Sequence, residues 1–279
     1  MRYLVSVLLL GFVLSSTAQV KVMSYNIRNS NANDGINQWS KRKQALAQVI
    51  LTTNPDVLGT QEVLEDQRRD LKKLLPAYDV FGAGRNNGKH AGEHSTIFYK
   101  RDKYTFITGG NFWMSQTPYK PGSKSWDAAL TRICTWVKLQ DKQTFDEIYA
   151  FNTHLDHKGK EARAKSAALL RNMIDSIAGD KPVIVTGDFN FRPDSEGYTT
   201  MTASREDVSL TDAYSPDAPD YTDCGFAVSN HDCSRIDYIF YSKHFISEHY
   251  TLHTDNNGTY YPSDHLTISV ELKLKRLKM

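Results

Sequence analysis

The feature that most constrains this chain is a repeated pairing: an apolar run of strand length that ends on an acid or an amide. Val20-Lys21-Val22-Met23-Ser24-Tyr25-Asn26, Asp56 to Glu62 and Pro182 to Asp188 all have this form. Alternating or continuous apolar runs of this length read as buried strands. Between the first two, a helical pattern from about Gln38 to Leu51 puts Ala45, Val49 and Ile50 on one face and stops at Asn54-Pro55. A second helix, around Glu65 to Leu75, turns Leu71, Leu74 and Leu75 inward and ends at Pro76. Strand, helix, strand, helix is α/β construction.

From Tyr78 onward strands dominate. Thr96 to Tyr99, Arg132 to Leu139 and Glu147 to Thr153 are strand-like and separated by polar turns. A helix is expected from Glu161 to Ile177, with Ala167, Leu170, Ile174 and Ile177 at helical spacing and Gly179 closing it. Ile236 to Tyr241 reads as a strand, and two more are expected around Asn257-Gly258, a hairpin-turn dipeptide. The pattern implies helices packed outside sheets rich in antiparallel pairs.

The first residues have a charged start, an apolar run from Leu4 to Leu14 and a small-residue exit, the composition of an export signal. Residues 1–18 are therefore expected to be removed, leaving a domain over 19–279 that is secreted or periplasmic, without stable membrane insertion and monomeric. Lys+Arg 34 against Asp+Glu 32 gives a net charge of +2, so no broad basic field gathers a polyanion. Three cysteines are an odd count for an exported chain. Cys224 and Cys233 share a loop-like stretch able to close a small ring or to stay open, and Cys134 lies in a strand-like run suited to burial. None has zinc-site spacing.

Acids, amides and histidines recur where the strands end: Asn26, Glu62, His154 with Asp156, Asp188 with Asn190, Asp237, and Asp264 with His265. Strand exits are where open α/β sheets place their ligands. A single Asp there is ordinarily a turn-former, but the repetition is not explained by turns. If its strand continues, Asn190 points to the same side as Asp188, as Asp156 does with His154. Alternation leaves Asp237 among apolar neighbours, where a lone carboxylate is costly without a donor or a cation, and His265 is the expected partner.

Met23-Ser24-Tyr25-Asn26-Ile27-Arg28, Gln61-Glu62-Val63, Asn152-Thr153-His154-Leu155-Asp156, Gly187-Asp188-Phe189-Asn190, Arg235-Ile236-Asp237-Tyr238-Ile239 and Ser263-Asp264-His265 occur in that order. Together they resemble the endonuclease/exonuclease/phosphatase superfamily with its DNase I-like fold, over Val22 to Val270. The resemblance implies a four-layered α/β sandwich, two packed mixed sheets flanked by helices, with a site at one end. It implies Glu62 as the main metal ligand, with Asn26 beside it and Asp264 contributing. An all-oxygen set suits Mg²⁺ or Mn²⁺. Asp188 and Asn190 resemble the pair that positions the attacking water and the phosphate. His265, oriented by Asp237, resembles the group that activates water or stabilises the phosphorane, and His154 resembles a further phosphate-contacting histidine.

The implied activity is metal-dependent hydrolysis of a phosphate ester. A small phosphorylated molecule is the expected substrate, and a nucleic acid, cleaved by a secreted nuclease, is the alternative. Arg132, Trp126 and Asp156 are the candidate substrate-binding residues. Trp113 and Tyr119 stand with Trp126 as aromatics that either line the cleft or anchor loops. Arg132 is expected to reach a phosphate or to pair with Asp127. Glu93 is a candidate carboxylate near the metal, and His90 and His94 are expected at the surface.

Overall fold

The computed structural model describes residues 19–275 apart from Asp207. The expected export signal, and the end of the basic tail, lie outside the described residues. The chain forms β1 (Gln19–Asn26), α1 (Trp39–Thr53), β2 (Val57–Val63), α2 (Glu65–Leu74), β3 (Tyr78–Phe81), β4 (His94–Lys100), β5 (Tyr104–Trp113), β6 (Ile133–Asp141), β7 (Glu147–His154), α3 (Lys160–Ala178), β8 (Val183–Asp188), α4 (Glu196–Thr202), β9 (Leu210–Asp212), β10 (Asp237–Ser242), β11 (Phe245–Leu252) and β12 (Ile268–Leu274). Two six-stranded mixed sheets result, ordered β11-β12-β1-β2-β4-β3 and β5-β6-β7-β8-β10-β9.

Three apolar layers hold these sheets and helices together. Met23, Tyr25, Leu58 and Phe98 pack on Leu46, Ile50 and Leu71, so α1 and α2 cover the first sheet. Phe151, Val185, Tyr238 and Phe240 pack on Leu170, Ile174 and Met201, so α3 and α4 cover the second. Val22, Val57, Ile97, Val137, Ile184, Ile239 and Val270 fill the space between the sheets. This is the expected four-layered sandwich, and the period-2 alternation of each strand sorts residues between its two layers.

Within α1, Trp39, Arg42, Leu46, Val49, Ile50 and Thr53 line the buried face, at helical spacing. Ala45, expected on that face, is exposed, because the stripe runs through Leu46 instead. His94, expected at the surface, is 1% exposed at the start of β4, where its Nδ1 meets the Val63 carbonyl at 2.9 Å. The last pair of strands also departs from expectation. β11 and β12 do pair antiparallel, but residues 253–267 separate them, and Asn257-Gly258 only shapes a turn within that loop. Asn257 Oδ1 accepts from the Thr259 and Tyr260 amides there. A tight hairpin would leave no returning leg to carry Ser263, Asp264 and His265.

The interior is not uniformly apolar. Asn152, fully buried on β7, donates through Nδ2 to the carbonyls of Thr60 at 2.8 Å and Thr96 at 2.9 Å. Its Oδ1 accepts from Gln61 Nε2 at 2.7 Å and from Thr186 Oγ1 at 3.0 Å. One amide thus uses all its hydrogen-bonding capacity and ties strands of both sheets. Gly59 permits the approach: a Cβ there would lie 2.0 Å from Thr186 Oγ1 and 2.7 Å from Asn152 Oδ1. Asn152→Leu should therefore strand buried carbonyls and lower unfolding free energy by about 3 kcal/mol or more, measured by urea denaturation. An unchanged midpoint would deny the amide this role.

Candidate active site

The site lies where both sheets end. In the second sheet, His154 on β7 is in register with Asp188 on β8, and Asp188 with Asp237 on β10. Three neighbouring strands therefore present their terminal residues side by side. In the first sheet, β1 ends at Asn26, opposite Gln61 on β2. The 253–267 loop then brings Asp264 and His265 over the seam, anchored by Ser263 Oγ donating to the Asn26 carbonyl at 2.7 Å.

Glu62 reaches the site through a backbone irregularity. Adjacent strand residues normally face opposite sides, yet Gln61 and Glu62 both contact interior groups. The register between β2 and β4 slips between Thr60 and Val63, and Glu62 has a φ of 60°, a left-handed conformation that a residue with a Cβ adopts at a cost. Its Oε1 accepts from Asn26 Nδ2 at 3.3 Å, and its Oε2 from the amide and side chain of Asn29 at 3.1 and 2.8 Å. Burial by itself disfavours its charge, but the nearby His265 and the Asn29 donors overcome this and hold the carboxyl below its usual range.

Asp188 is the hub. Its Oδ2 accepts from Asn26 Nδ2 at 2.9 Å and lies 3.4 Å from His154 Nε2 and 3.9 Å from His265 Nε2. Burial, then the negative charge of Asp237, push its carboxyl up to about 7 against the counter-pull of His265. His265 Nδ1 is 2.8 Å from Asp237 Oδ2, the expected partnership. Burial alone would favour the neutral ring, yet Asp237 and Asp188 hold the imidazole well above its ordinary range, in the charged form. His154 goes the other way: burial, then Arg132 and Arg85, keep it neutral.

Asn190 does not extend β8. The strand ends at Asp188, and Asn190, with φ of 50°, folds back so that its amide donates to Asp188 Oδ1 at 3.0 Å and its Nδ2 to the Leu155 carbonyl at 3.1 Å. Asp156 also lies beyond its strand, and its carboxylate accepts from the backbone of Leu130, Lys158 and Gly159. These donors outweigh burial and drive its carboxyl far below its usual range.

Arg132 is paired with Asp156 at 3.6 Å, not with Asp127. Asp127 instead caps α3, accepting from the Ala162 amide at 2.6 Å. Trp126 is half-buried in the same loop, Tyr119 is exposed, and Trp113 is buried with its indole N–H on the Arg85 carbonyl at 2.6 Å, an anchor for its loop. Glu93 meets Arg85 through two bonds of 2.6 and 3.0 Å and lies 3.9 Å from His154 Nδ1. Asn29 and Arg85 escaped the sequence reading. Asn29 sits in a polar turn, and Arg85 finds Glu93 across a glycine-containing loop, so neither carries a periodic or motif signal.

The donor chemistry fits a hard divalent cation. Asn26, Glu62, Asp188, Asp237 and Asp264 offer oxygens only, and the carboxylates outnumber the cationic groups among them, His265 and Arg28, the latter 3.4 Å from Asp264. Asp237 Oδ1 is buried without a partner. Among the described residues, Asp188, Asp237 and His265 have ligand-type atoms within 4.8 Å of one another, a different trio from Asn26, Glu62 and Asp264.

With this geometry in view, comparison with known proteins is specific. The profile described as Endonuclease/Exonuclease/phosphatase family matches residues 23–265, and the chain belongs to that family. A family member of known structure from Bacteroides thetaiotaomicron is 37% identical, with 94% of this chain and 100% of that one aligned at a TM-score of 0.87. A mannosyl-6-phosphatase of Bacteroides thetaiotaomicron is 38% identical over 91% of this chain and 99% of its own, with a TM-score of 0.83. Mouse Nocturnin is 27% identical over 91% of this chain, which spans 65% of that relative's length.

Asp237→Asn replaces the partnerless Oδ1 with a donor and removes one of the crowded charges, while still accepting from His265. In EDTA its melting temperature should equal or exceed that of the native chain, while turnover falls about 10²–10⁴-fold for want of a charged, oriented His265. A large loss of stability would show that Asp237 serves the fold first.

Proposed function

We propose that the protein is an exported, divalent-metal-dependent phosphoesterase acting on a small phosphorylated molecule, with sugar phosphates the best-matched class. The observation that carries this reading is one buried carboxylate, Asp188, within reach of Asn26, His154 and an Asp237-supported His265. The 38% identity to a mannosyl-6-phosphatase, across nearly the whole of both chains, supports the substrate class. Nearly balanced charge argues for a small substrate over a nucleic acid. The bonded Cys224–Cys233 pair suits an oxidising compartment, and with the composition of residues 1–18 it supports export.

In this reading Glu62, Asn26 and Asp264 would hold the cation, because Asp237 Oδ2 is engaged with His265 and both oxygens of Asp188 accept from Asn26 and Asn190. When bound, a hard divalent cation neutralises non-bridging phosphate oxygens and supports the departing alkoxide. Asp188 accepts the proton of the attacking water, oriented by Asn26 and by the Asn190 amide. His265, kept protonated by Asp237, donates to a phosphate oxygen as charge accumulates in the transition state. Neutral His154 donates from the opposite side. Asn190 sets the turn that fixes Asp188, and Asp156 fixes the loops that carry Trp126 and Arg132 toward the substrate.

The deciding experiment is hydrolysis of hexose 6-phosphates, p-nitrophenyl phosphate, bis-p-nitrophenyl phosphate and single- and double-stranded DNA, in Mg²⁺, in Mn²⁺ and in EDTA. Turnover of the small esters that EDTA abolishes, with little action on DNA, is the expected result. DNA cleavage of comparable efficiency would move the assignment to a nuclease, and silence in every metal would defeat it. Glu62→Ala should raise the metal concentration giving half-maximal rate about 10-fold or more. Asp188→Ala and His265→Ala should each lower kcat by about 10²–10⁴-fold without unfolding the chain, as judged by circular dichroism.

A further inference from the structure

Residues 213–236, between β9 and β10, hold none of the site residues, yet their middle reaches the reaction centre through its backbone. Thr222 is fully buried there. Its Oγ1 accepts from the amides of Ile236 and Asp237, both at 3.1 Å, and its carbonyl accepts from the Leu266 amide at 2.6 Å. Asp223 bridges Ser234 on one side and His265 on the other, and the Cys224 amide donates to the Asp264 carbonyl at 3.2 Å. The Cys224–Cys233 disulfide closes the hairpin immediately beyond the Asp223–Ser234 bridge. Residues 222–224 are therefore a cross-linked strap between the two segments that deliver Asp237 and His265.

The strap fills a gap in the second sheet. β9 pairs only with Phe240, Tyr241 and Ser242 of β10, so the amides of Ile236 and Asp237 have no β9 partner, and the Thr222 hydroxyl supplies the acceptor that buried amides require. The need is sharpest at Asp237, whose carboxylate is fastened at one oxygen. Oδ2 meets His265 Nδ1 at 2.8 Å, while Oδ1 has no partner. A carboxylate held at one oxygen takes its direction from its own backbone. The His265 ring is likewise bonded through Nδ1 alone, with Nε2 3.9 Å from Asp188 Oδ2. The aim of the pair is thus set by main chain, and Thr222 holds main chain on both sides of it.

We infer that Thr222 is a positioning residue for the reaction: its hydroxyl fixes the direction in which Asp237 presents its carboxylate, and so the aim of His265 at the phosphoryl group. The inference rests on the phosphoesterase reading above and adds to it a residue that acts only through Asp237 and His265. Removing the hydroxyl leaves two buried amides unpaired. The chain relieves that cost by letting residues 236–237 shift, and the carboxylate moves with them.

The test compares the native chain with Thr222→Val, which keeps the shape but loses the hydroxyl, and Thr222→Ser, which keeps the hydroxyl. On p-nitrophenyl phosphate in Mg²⁺, Thr222→Val should lower kcat about 10–100-fold with KM within about 3-fold of native, and Thr222→Ser should recover kcat to within about 3-fold. In a His265→Ala chain, where no imidazole is left to aim, Thr222→Val should cost less than about 3-fold more. Thermal melting checks that each chain is folded. An unchanged kcat in Thr222→Val, a Thr222→Ser chain as slow as Thr222→Val, or a loss that appears in full in the His265→Ala background would overturn the inference and leave the phosphoesterase reading intact. Proton NMR in EDTA gives a readout independent of turnover: the low-field ring N–H resonance that His265→Ala removes should persist in Thr222→Ser and shift or broaden in Thr222→Val. If the native chain hydrolyses no ester, the broader reading falls, and the resonance still decides the role of Thr222, an unshifted signal in Thr222→Val overturning it. If Thr222→Val does not fold, Thr222→Ala takes its place with the same expected outcomes.

Discussion

The rest of the structure depends on how the side-chain amide of Asn152 is satisfied. It sits between the sheets, one inward-facing position below His154, and binds the carbonyls of Thr60 and Thr96 where the β2–β4 ladder is about to slip. An irregularity at that depth would ordinarily leave polar backbone unpaired. With the amide in place, β2 can break its alternation and deliver Glu62 beside Asn26. A buried hydrogen-bond network here does not merely add stability, since it makes an otherwise unaffordable backbone conformation available to the site.

Along the inward faces of the strands, polarity rises toward one end. β1 runs Val20, Val22, Ser24, Asn26; β7 runs Ile148, Ala150, Asn152, His154; β8 runs Ile184, Thr186, Asp188. Apolar side chains hold the sheets together at the far end, hydroxyls and amides follow, and ionisable groups complete the rim. Much of the site was legible in the sequence for this reason. A strand that begins apolar and ends on an acid shows both its burial and the end at which it meets solvent, and the partnership of Asp237 with His265 follows from a carboxylate among apolar neighbours.

What escaped reading depends on long-range geometry. Nothing around Glu62 announces a left-handed residue, and the Asx-type fold-back of Asn190 looks in sequence like one more strand position. His94 reads as polar and exposed, but the slipped register buries it against Val63. Asn257-Gly258 gives a true local turn signal, yet local chemistry says nothing about the returning leg that carries Asp264 and His265. β5 and the short α4 and β9 also went unread, β5 because its glycine-containing, polar stretch has no clean alternation.

The two sheets also divide the chain unequally. Residues 19–100 and 245–274 build the first sheet, and the stretch between them builds the second, so the middle of the polypeptide is an insertion into a sheet made from its two ends. β12 pairs with β1, Gln19 opposite Lys273, and the loop bearing Asp264 and His265 leads directly into β12. That closure spans almost the entire described chain and carries its largest loop entropy. The second sheet, with its aromatic core packed, therefore carries only His154, Asp188 and Asp237 of the candidate site, and Asn26, Glu62, Asp264 and His265 join them only when both ends of the chain are in place.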